Sequence, residues 1–242
     1  MKKAYEITSS DVLLVTDIQL DFLPGGALPI SDGDQIIPVL NEYIKRFNRA
    51  GTPIFASRDF HSPTHMSFKA QGGPWPAHCV QDTRGAMFSP DLKLPKTTVV
   101  VFKATDPMRE SYSVFDGTLF AEELKERNAK RIFIGGLATD YCVLNTVMDA
   151  RKIGYETVVL MDATRGINVK SGDVDSAVET MIMNGAELAT SLDFPDEAET
   201  LPTEEAEADV LEEKPSARAA VKKKARMRPR GSVKRVRTER KG

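Results

Sequence analysis

VLLVTD, residues 12–17, is four apolar residues and a threonine that close on an acid, and its reading decides the fold. It lacks the alternation of a half-buried strand, so it reads as a strand covered on both faces, as in a parallel sheet between helices. The residues downstream agree. Ile36, Val39, Leu40, Tyr43, Ile44 and Phe47 recur at helical spacing until Gly51, with Pro38 tolerable only in the first turn. PIFASRD (53–59) is a second strand ending near an aspartate, and TTVVVFK (97–103) a third ending on a lysine. A helix is expected over 118–127. RIFIGG (131–136) is the fourth strand, and it opens through LATD into a helix, YCVLNTVMDARKI (141–153), that Gly154 stops. YETVVLMD (155–162) is a fifth strand, and AELAT (186–190) is a short sixth. Between them DVDSAVETMIMN (173–184) is a helix with Val174, Ala177, Val178 and Met181 on one face. Strands alternating with helical patterns predict an α/β domain of parallel strands joined by crossover helices.

The chain has 242 residues and is 41 % hydrophobic, enough for one sizeable domain, placed at residues 1–194. Its start, MKKAYEITSSDVLLVTD, reaches acidic residues before any long apolar run. That supports neither a signal peptide nor a transmembrane helix, and the expected location is the cytoplasm. In a reducing compartment Cys79 and Cys142 are expected as free thiols. The net charge of −2 hides an asymmetry. From Asp196 onward, ten acidic and thirteen basic residues give +3, leaving −5 for the residues before. PDEAETLPTEEAEADVLEEK is acidic, ARAAVKKKARMRPRGSVKRVRTERKG is basic, and no aromatic residue follows Phe194. Such a composition cannot bury enough apolar surface to offset the entropy of ordering, so residues 195–242 are expected to be a disordered tail. That tail is either a solvated extension lying weakly on the acidic body or a nonspecific contact for RNA, DNA or anionic lipid. A homo-oligomer stays open.

Asp17, Asp59, Lys103 and the LATDYC turn fall at the carboxyl ends of four expected strands. In an open parallel sheet those ends share one edge, where ligands bind near the point at which the strand order reverses. Cys142 is expected in the first turn of its helix, with Thr139 or Asp140 as cap. Free N–H groups and the helix dipole there lower a thiol's pKa and are placed to hold an oxyanion. The plain alternative is a small residue packing the helix on the sheet. Asp17 adds a carboxylate to take and return a proton, and Lys103 an ammonium to hold acid and thiolate in place.

All three histidines lie in the long loop over 60–95, within DFHSPTH (59–65) and PWPAHC (74–79). Loops of that length in compact domains usually serve a function. Asp59, His61 and His78 make one carboxylate and two imidazoles, a set suited to Zn²⁺, Fe²⁺ or Mn²⁺, against the alternative of surface histidines. His65 is either a fourth ligand or a group behind the ligands. Cys79 is read as packed rather than ligating.

With VTDIQLDF, DFHSPTH, GGPWPAHCV, VFKATD and GLATDYCV in this order, residues 9–192 resemble the nicotinamidases of the isochorismatase-like cysteine hydrolase superfamily. The resemblance implies a three-layer α/β/α fold with a six-stranded parallel sheet, and hydrolysis of nicotinamide to nicotinate and ammonia in NAD salvage. It implies a catalytic triad of Asp17, Lys103 and Cys142. Asp59, His61 and His78 would bind one divalent metal that holds the pyridine nitrogen, zinc first, with iron or manganese as alternatives. Phe22 and Trp75 match aromatic walls of the family's pocket, and Tyr112 is a looser match. The resemblance also implies a cis peptide before Ala138, whose N–H faces the substrate oxygen together with that of Cys142. Ureidoacrylate-type and carbamoyl-type amidohydrolases of the same superfamily share acid, lysine and cysteine, but the metal set favours nicotinamidase. A basic-tailed nucleic-acid binder is a reading of another class, opposed by the acidic body and the lack of a nucleic-acid motif.

Overall fold

The computed structural model of the chain describes residues 4–195. The expected charged tail, from Asp196 on, lies outside the described residues. β1 (Asp11–Thr16) is buried at every position. It sits inside a six-stranded parallel sheet with β2 (Ile54–Asp59), β3 (Val99–Lys103), β4 (Arg131–Leu137), β5 (Glu156–Arg165) and β6 (Glu187–Ala189). Their order across the sheet is β3-β2-β1-β4-β5-β6, so the direction of winding reverses between β1 and β4.

Side chains of one strand alternate between the two helical layers, which explains why Val12 to Val15 are apolar without alternation. Leu13 and Val15 pack in one layer with Leu40, Tyr43 and Phe47 of α1 (Ile37–Arg49). Val12 and Leu14 pack in the other layer. They share it with Phe120 and Leu124 of α2 (Phe120–Glu126), Val147 of α3 (Leu144–Lys152) and Met181 of α4 (Asp173–Met183). Each such fully buried side chain contributes about 1.5–3 kcal/mol relative to exposure. A charge at Leu14 would therefore break the sheet's contact with three helices. Pro38 occupies the first turn of α1, where its missing N–H has no helical partner to lose.

Gly136 explains the second glycine of RIFIGG. It has φ +119°, and a Cβ there would stand 2.1 Å from the carbonyl oxygen of Thr16. Only glycine lets β4 pass so close to β1 at the reversal point. Several expected boundaries move. The helix expected over 118–127 is shorter, Phe120–Glu126. β5 runs past Asp162 to Arg165, because the Asp162 carboxylate is satisfied inside the fold by the Tyr43 hydroxyl at 2.9 Å and the Ser191 N–H at 2.8 Å. A register shift between Ile134 and Gly136 accommodates the extra length.

The chain between β2 and β3 is pinned by isolated pairings of His61 with Val80, Phe68 with Trp75, and Gln19 with Phe88. These hold it against the carboxyl edge of the sheet. No helix among the described residues is long and apolar enough to cross a membrane.

Candidate active site

Asp17 follows β1 directly and adopts φ 50°, a left-handed conformation that turns the chain out of the sheet and that aspartate tolerates better than most residues. Its side chain is fully buried. Oδ1 accepts the Ser57 hydroxyl at 2.7 Å, and Oδ2 lies 2.9 Å from Lys103 Nζ as an ion pair. The same Nζ donates to Asp59 Oδ1 at 2.5 Å and to Cys142 Sγ at 3.3 Å. The fold thus brings the expected Asp17, Lys103 and Cys142 together and adds Asp59 to them. One ammonium serves two carboxylates and a thiol, and carboxylate oxygens of Asp17 and Asp59 lie with Sγ within 4.8 Å of one another.

Burial alone would lower the pKa of Lys103, but Asp17 and Asp59 outweigh it and hold Lys103 charged, well above its ordinary range. Asp59 is held below the usual carboxylate range: burial opposes this, and Lys103, His61 and His78 prevail. Asp17 goes the other way. Burial raises it to about 6, with Lys103 pulling it down and Asp59 pushing it up.

Cys142 corrects the sequence reading. It lies in a π-helical turn, Thr139–Val143, whose cap is Ala138 and which has no side-chain capping bond. Thr139 turns its hydroxyl to that of Thr164 at 2.8 Å, while Asp140 accepts the N–H groups of Ile167 at 2.9 Å and Asn168 at 2.7 Å. The thiol is not lowered into a ready thiolate. Burial, with Asp17 and Asp59 beside it, pushes it well above its usual value despite Lys103. Burial is the largest of these effects. The Leu137–Ala138 peptide is cis, as the resemblance implies.

Asp59, His61 and His78 also converge, each offering a ligand atom within 4.8 Å of the others, and all are buried. Nδ1 of His61 faces the carbonyl oxygen of His78 at 3.2 Å, and Nδ1 of His78 faces that of Pro76 at 2.8 Å. A carbonyl only accepts, so each Nδ1 carries the proton and each Nε2 presents a lone pair. Burial holds His61 neutral, with a pKa of about 4. One anionic oxygen and two neutral imidazole nitrogens fit a divalent transition metal. His65 is fully buried but differently engaged: Nδ1 lies 2.8 Å from the Ser67 hydroxyl and Nε2 3.0 Å from the Arg109 carbonyl. With Nε2 donating to that carbonyl, His65 supports His61, ring centroids 4.5 Å apart.

Phe22 lies against the ring of His78, at 5.4 Å between centroids. Trp75 donates its indole N–H to the Tyr112 hydroxyl at 2.9 Å, and both rings pack on Tyr141, at 5.1 and 5.4 Å. Tyr141, next to Cys142, went unnoticed within the quoted TDYC, although an aromatic beside the thiol was a usable signal. Ser57 was also missed, and its signal was a hydroxyl after the apolar Ile54 to Ala56, two residues before Asp59. Phe68 lies 5.3, 5.8 and 5.6 Å from the rings of His61, His65 and His78. Nothing in the sequence distinguishes it from a core phenylalanine.

Comparison with known proteins agrees with this fold. The isochorismatase domain matches residues 11–193. A nicotinamidase of Escherichia coli is 35 % identical over 203 residues, covering 75 % of this chain and 95 % of its own. The crystal structure of a pyrazinamidase of Pyrococcus horikoshii in complex with zinc superposes with TM-score 0.72 at 47 % identity, covering 75 % of this chain and 99 % of its own. PnC1 from L. infantum, solved in complex with nicotinate, superposes with TM-score 0.73 at 32 % identity, covering 79 % and 98 %. A parallel sheet in this order, a buried thiol at its reversal point and these matches across the described residues have one explanation: the chain belongs to the isochorismatase family, in its nicotinamidase/pyrazinamidase group.

Proposed function

We propose that this chain is a nicotinamidase that hydrolyses nicotinamide to nicotinate and ammonia through a thioester on Cys142. The observation that carries the proposal is the reach of Lys103 Nζ to Asp17, Asp59 and Cys142 together, which places an acid, an ammonium and a thiol beside a set of metal donors. Asp59, His61 and His78 are the residues that would hold the metal, zinc first, and a metal held there would supply a Lewis-acid anchor for the ring nitrogen. Phe22, Trp75 and Tyr112 are the aromatic groups proposed to flank the ring.

The proton movements follow from the two raised pKa values. Asp17, ionised above about pH 6, takes the proton of the Cys142 thiol as Sγ attacks the carboxamide carbon. Lys103 offsets the negative charge of the pair. The carbonyl oxygen becomes an oxyanion, for which the N–H groups of Ala138 and Cys142 are the proposed donors. Asp17 returns the proton to the amide nitrogen, the C–N bond breaks and ammonia leaves. Water then attacks the thioester while Asp17 accepts its proton. The C–S bond breaks, nicotinate forms and the thiol regains its proton.

The test is ammonia release from nicotinamide by purified protein, before chelation, after it, and with zinc restored. Release that chelation suppresses and zinc restores is the expected outcome. No ammonia from the zinc-loaded protein would overturn nicotinamide as substrate and leave another amide of the superfamily's ureidoacrylate or carbamoyl type.

A further inference from the structure

We infer that Gln19 and Asp21 are positioning residues that set the spacing of the metal donors Asp59 and His78. This rests on the reading of Asp59, His61 and His78 as metal ligands. Its root is the way β1 ends. Thr16 pairs with Ser57 of β2, and the Asp17 N–H still reaches the Ser57 carbonyl at 3.2 Å. There the chain turns away, at the left-handed Asp17, so β1 offers Asp59 no backbone partner. On the other side Asp59 remains paired with Lys103 of β3.

The Gln19 carboxamide takes the place that the strand vacates. Its Nε2 donates to the Asp59 carbonyl at 2.8 Å, and its Oε1 accepts the Asp59 N–H at 2.8 Å. The second proton of Nε2 goes to the Ala86 carbonyl at 2.9 Å. Gln19 is fully buried, so none of these three bonds competes with solvent. The Asp59 backbone is therefore held by a side chain on one edge, while on the other its neighbour Phe60 donates its N–H to the Lys103 carbonyl at 3.1 Å, and the carboxylate projects from a fixed main chain. A carboxylate at position 19 would set an oxygen against two carbonyl oxygens, and an apolar residue would leave the Asp59 N–H and carbonyl unmet.

The same short segment fixes the other donor. Asp21 Oδ2 accepts the N–H of Cys79 at 2.7 Å, next to His78, and Oδ1 accepts that of Ala27 at 3.3 Å. A Cβ on Gly85 would fall 2.1 Å from Oδ2, so the carboxylate is seated against bare backbone. Phe22 then packs its ring on His78. The turn that starts with Asp17 thus brackets a metal donor from β2 and another from the distant loop, which are 19 positions apart in sequence.

The experiment measures zinc affinity by competition with a chromophoric chelator, and the cobalt(II) absorption spectrum, for the full chain and for Gln19→Leu, Gln19→Glu and Asp21→Asn. No amide is present, so the result is independent of the substrate. Leu124→Ala, a core change under α2, is the stability control. The expected result is zinc binding weakened by about 10–100-fold in the Gln19 variants, and less in Asp21→Asn, with altered cobalt spectra. The control should melt earlier with affinity and spectrum unchanged. If a Gln19 variant does not fold, Asp21→Asn, which keeps the side chain's shape, carries the test. Folded variants that bind zinc within about twofold of the unaltered chain, with its cobalt spectrum, would overturn the inference; a factor that small is under about 0.5 kcal/mol. Absence of zinc binding by the unaltered chain would overturn the metal reading and the inference with it.

Discussion

Lys103 Nζ donates to Asp59 Oδ1 at 2.5 Å, and this bond joins the proposed acid–amine–thiol group to the proposed metal donors through one shared carboxylate. Removing the ammonium would leave Asp17 buried with no counter-charge, and Asp59 with only that of a bound metal. Lys103→Met is therefore expected to lose about a thousandfold or more in kcat/KM and about 3–5 kcal/mol of stability near neutral pH. Because the stranded carboxylates are relieved by protonation, the deficit should shrink as the pH falls. Thermal melts at pH 5 and pH 8 check this, and a deficit that does not change with pH would count against the shared-charge account.

The pH profile follows from Asp17. Its folded pKa of about 6 lies above its ordinary 3.8, so the carboxylate needed as base forms as the pH rises through about 6. We expect kcat/KM to climb through that value on the acid side and then level off. The sign for stability is opposite: this group's contribution is fully present below 3.8 and is lost as the pH rises through about 6. Ser57 donates to the ionised form, so Ser57→Ala should move the acid limb to higher pH. A limb that stays in place would remove Asp17 as the titrating group.

Cys142 is pushed up by burial, so the free enzyme holds a thiol rather than a thiolate. Alkylation by iodoacetamide at pH 7 should be slow and should accelerate with rising pH, as mass spectrometry of the Cys142 peptide would show. Cys142→Ala should abolish turnover while zinc and nicotinate still bind. Residual turnover above about one part in a thousand would exclude it as nucleophile.

His61 and His65 should separate by experiment. His61→Ala is expected to lose stoichiometric zinc and to raise KM, because its Nε2 is the free donor. His65→Ala removes only a supporting ring bonded to Ser67 and Arg109, so it should keep one zinc per chain at lower affinity. Metal analysis after dialysis decides the matter, and loss of zinc from His65→Ala would make it a ligand.

The sheet was legible because its cause is local. A short apolar run without alternation, as in Val12 to Val15, reads as a strand covered on both sides, and the helical spacing from Ile36 to Phe47 supplies a cover for one of them. The gathering of Asp17, Asp59, Lys103 and Cys142 was legible as well, since parallel strands deliver their carboxyl ends to one edge. Where an element's end depended on a distant partner, the reading failed. β5 outran Asp162 because Tyr43, 119 positions away, satisfies that carboxylate.

The sequence by itself determined the residue types, their order along the strands and the edge where they meet. Tertiary structure alone decided their chemical state. The helix-end argument gave Cys142 a low pKa, but burial, with Asp17 and Asp59 adding to it against Lys103, pushes the thiol up. His65 meets Ser67 and Arg109, and Gln19 becomes a substitute strand partner, for the same reason. A buried group's protonation and bonding are set by the neighbours that folding places within a few ångströms, and those neighbours are tens of residues away along the chain.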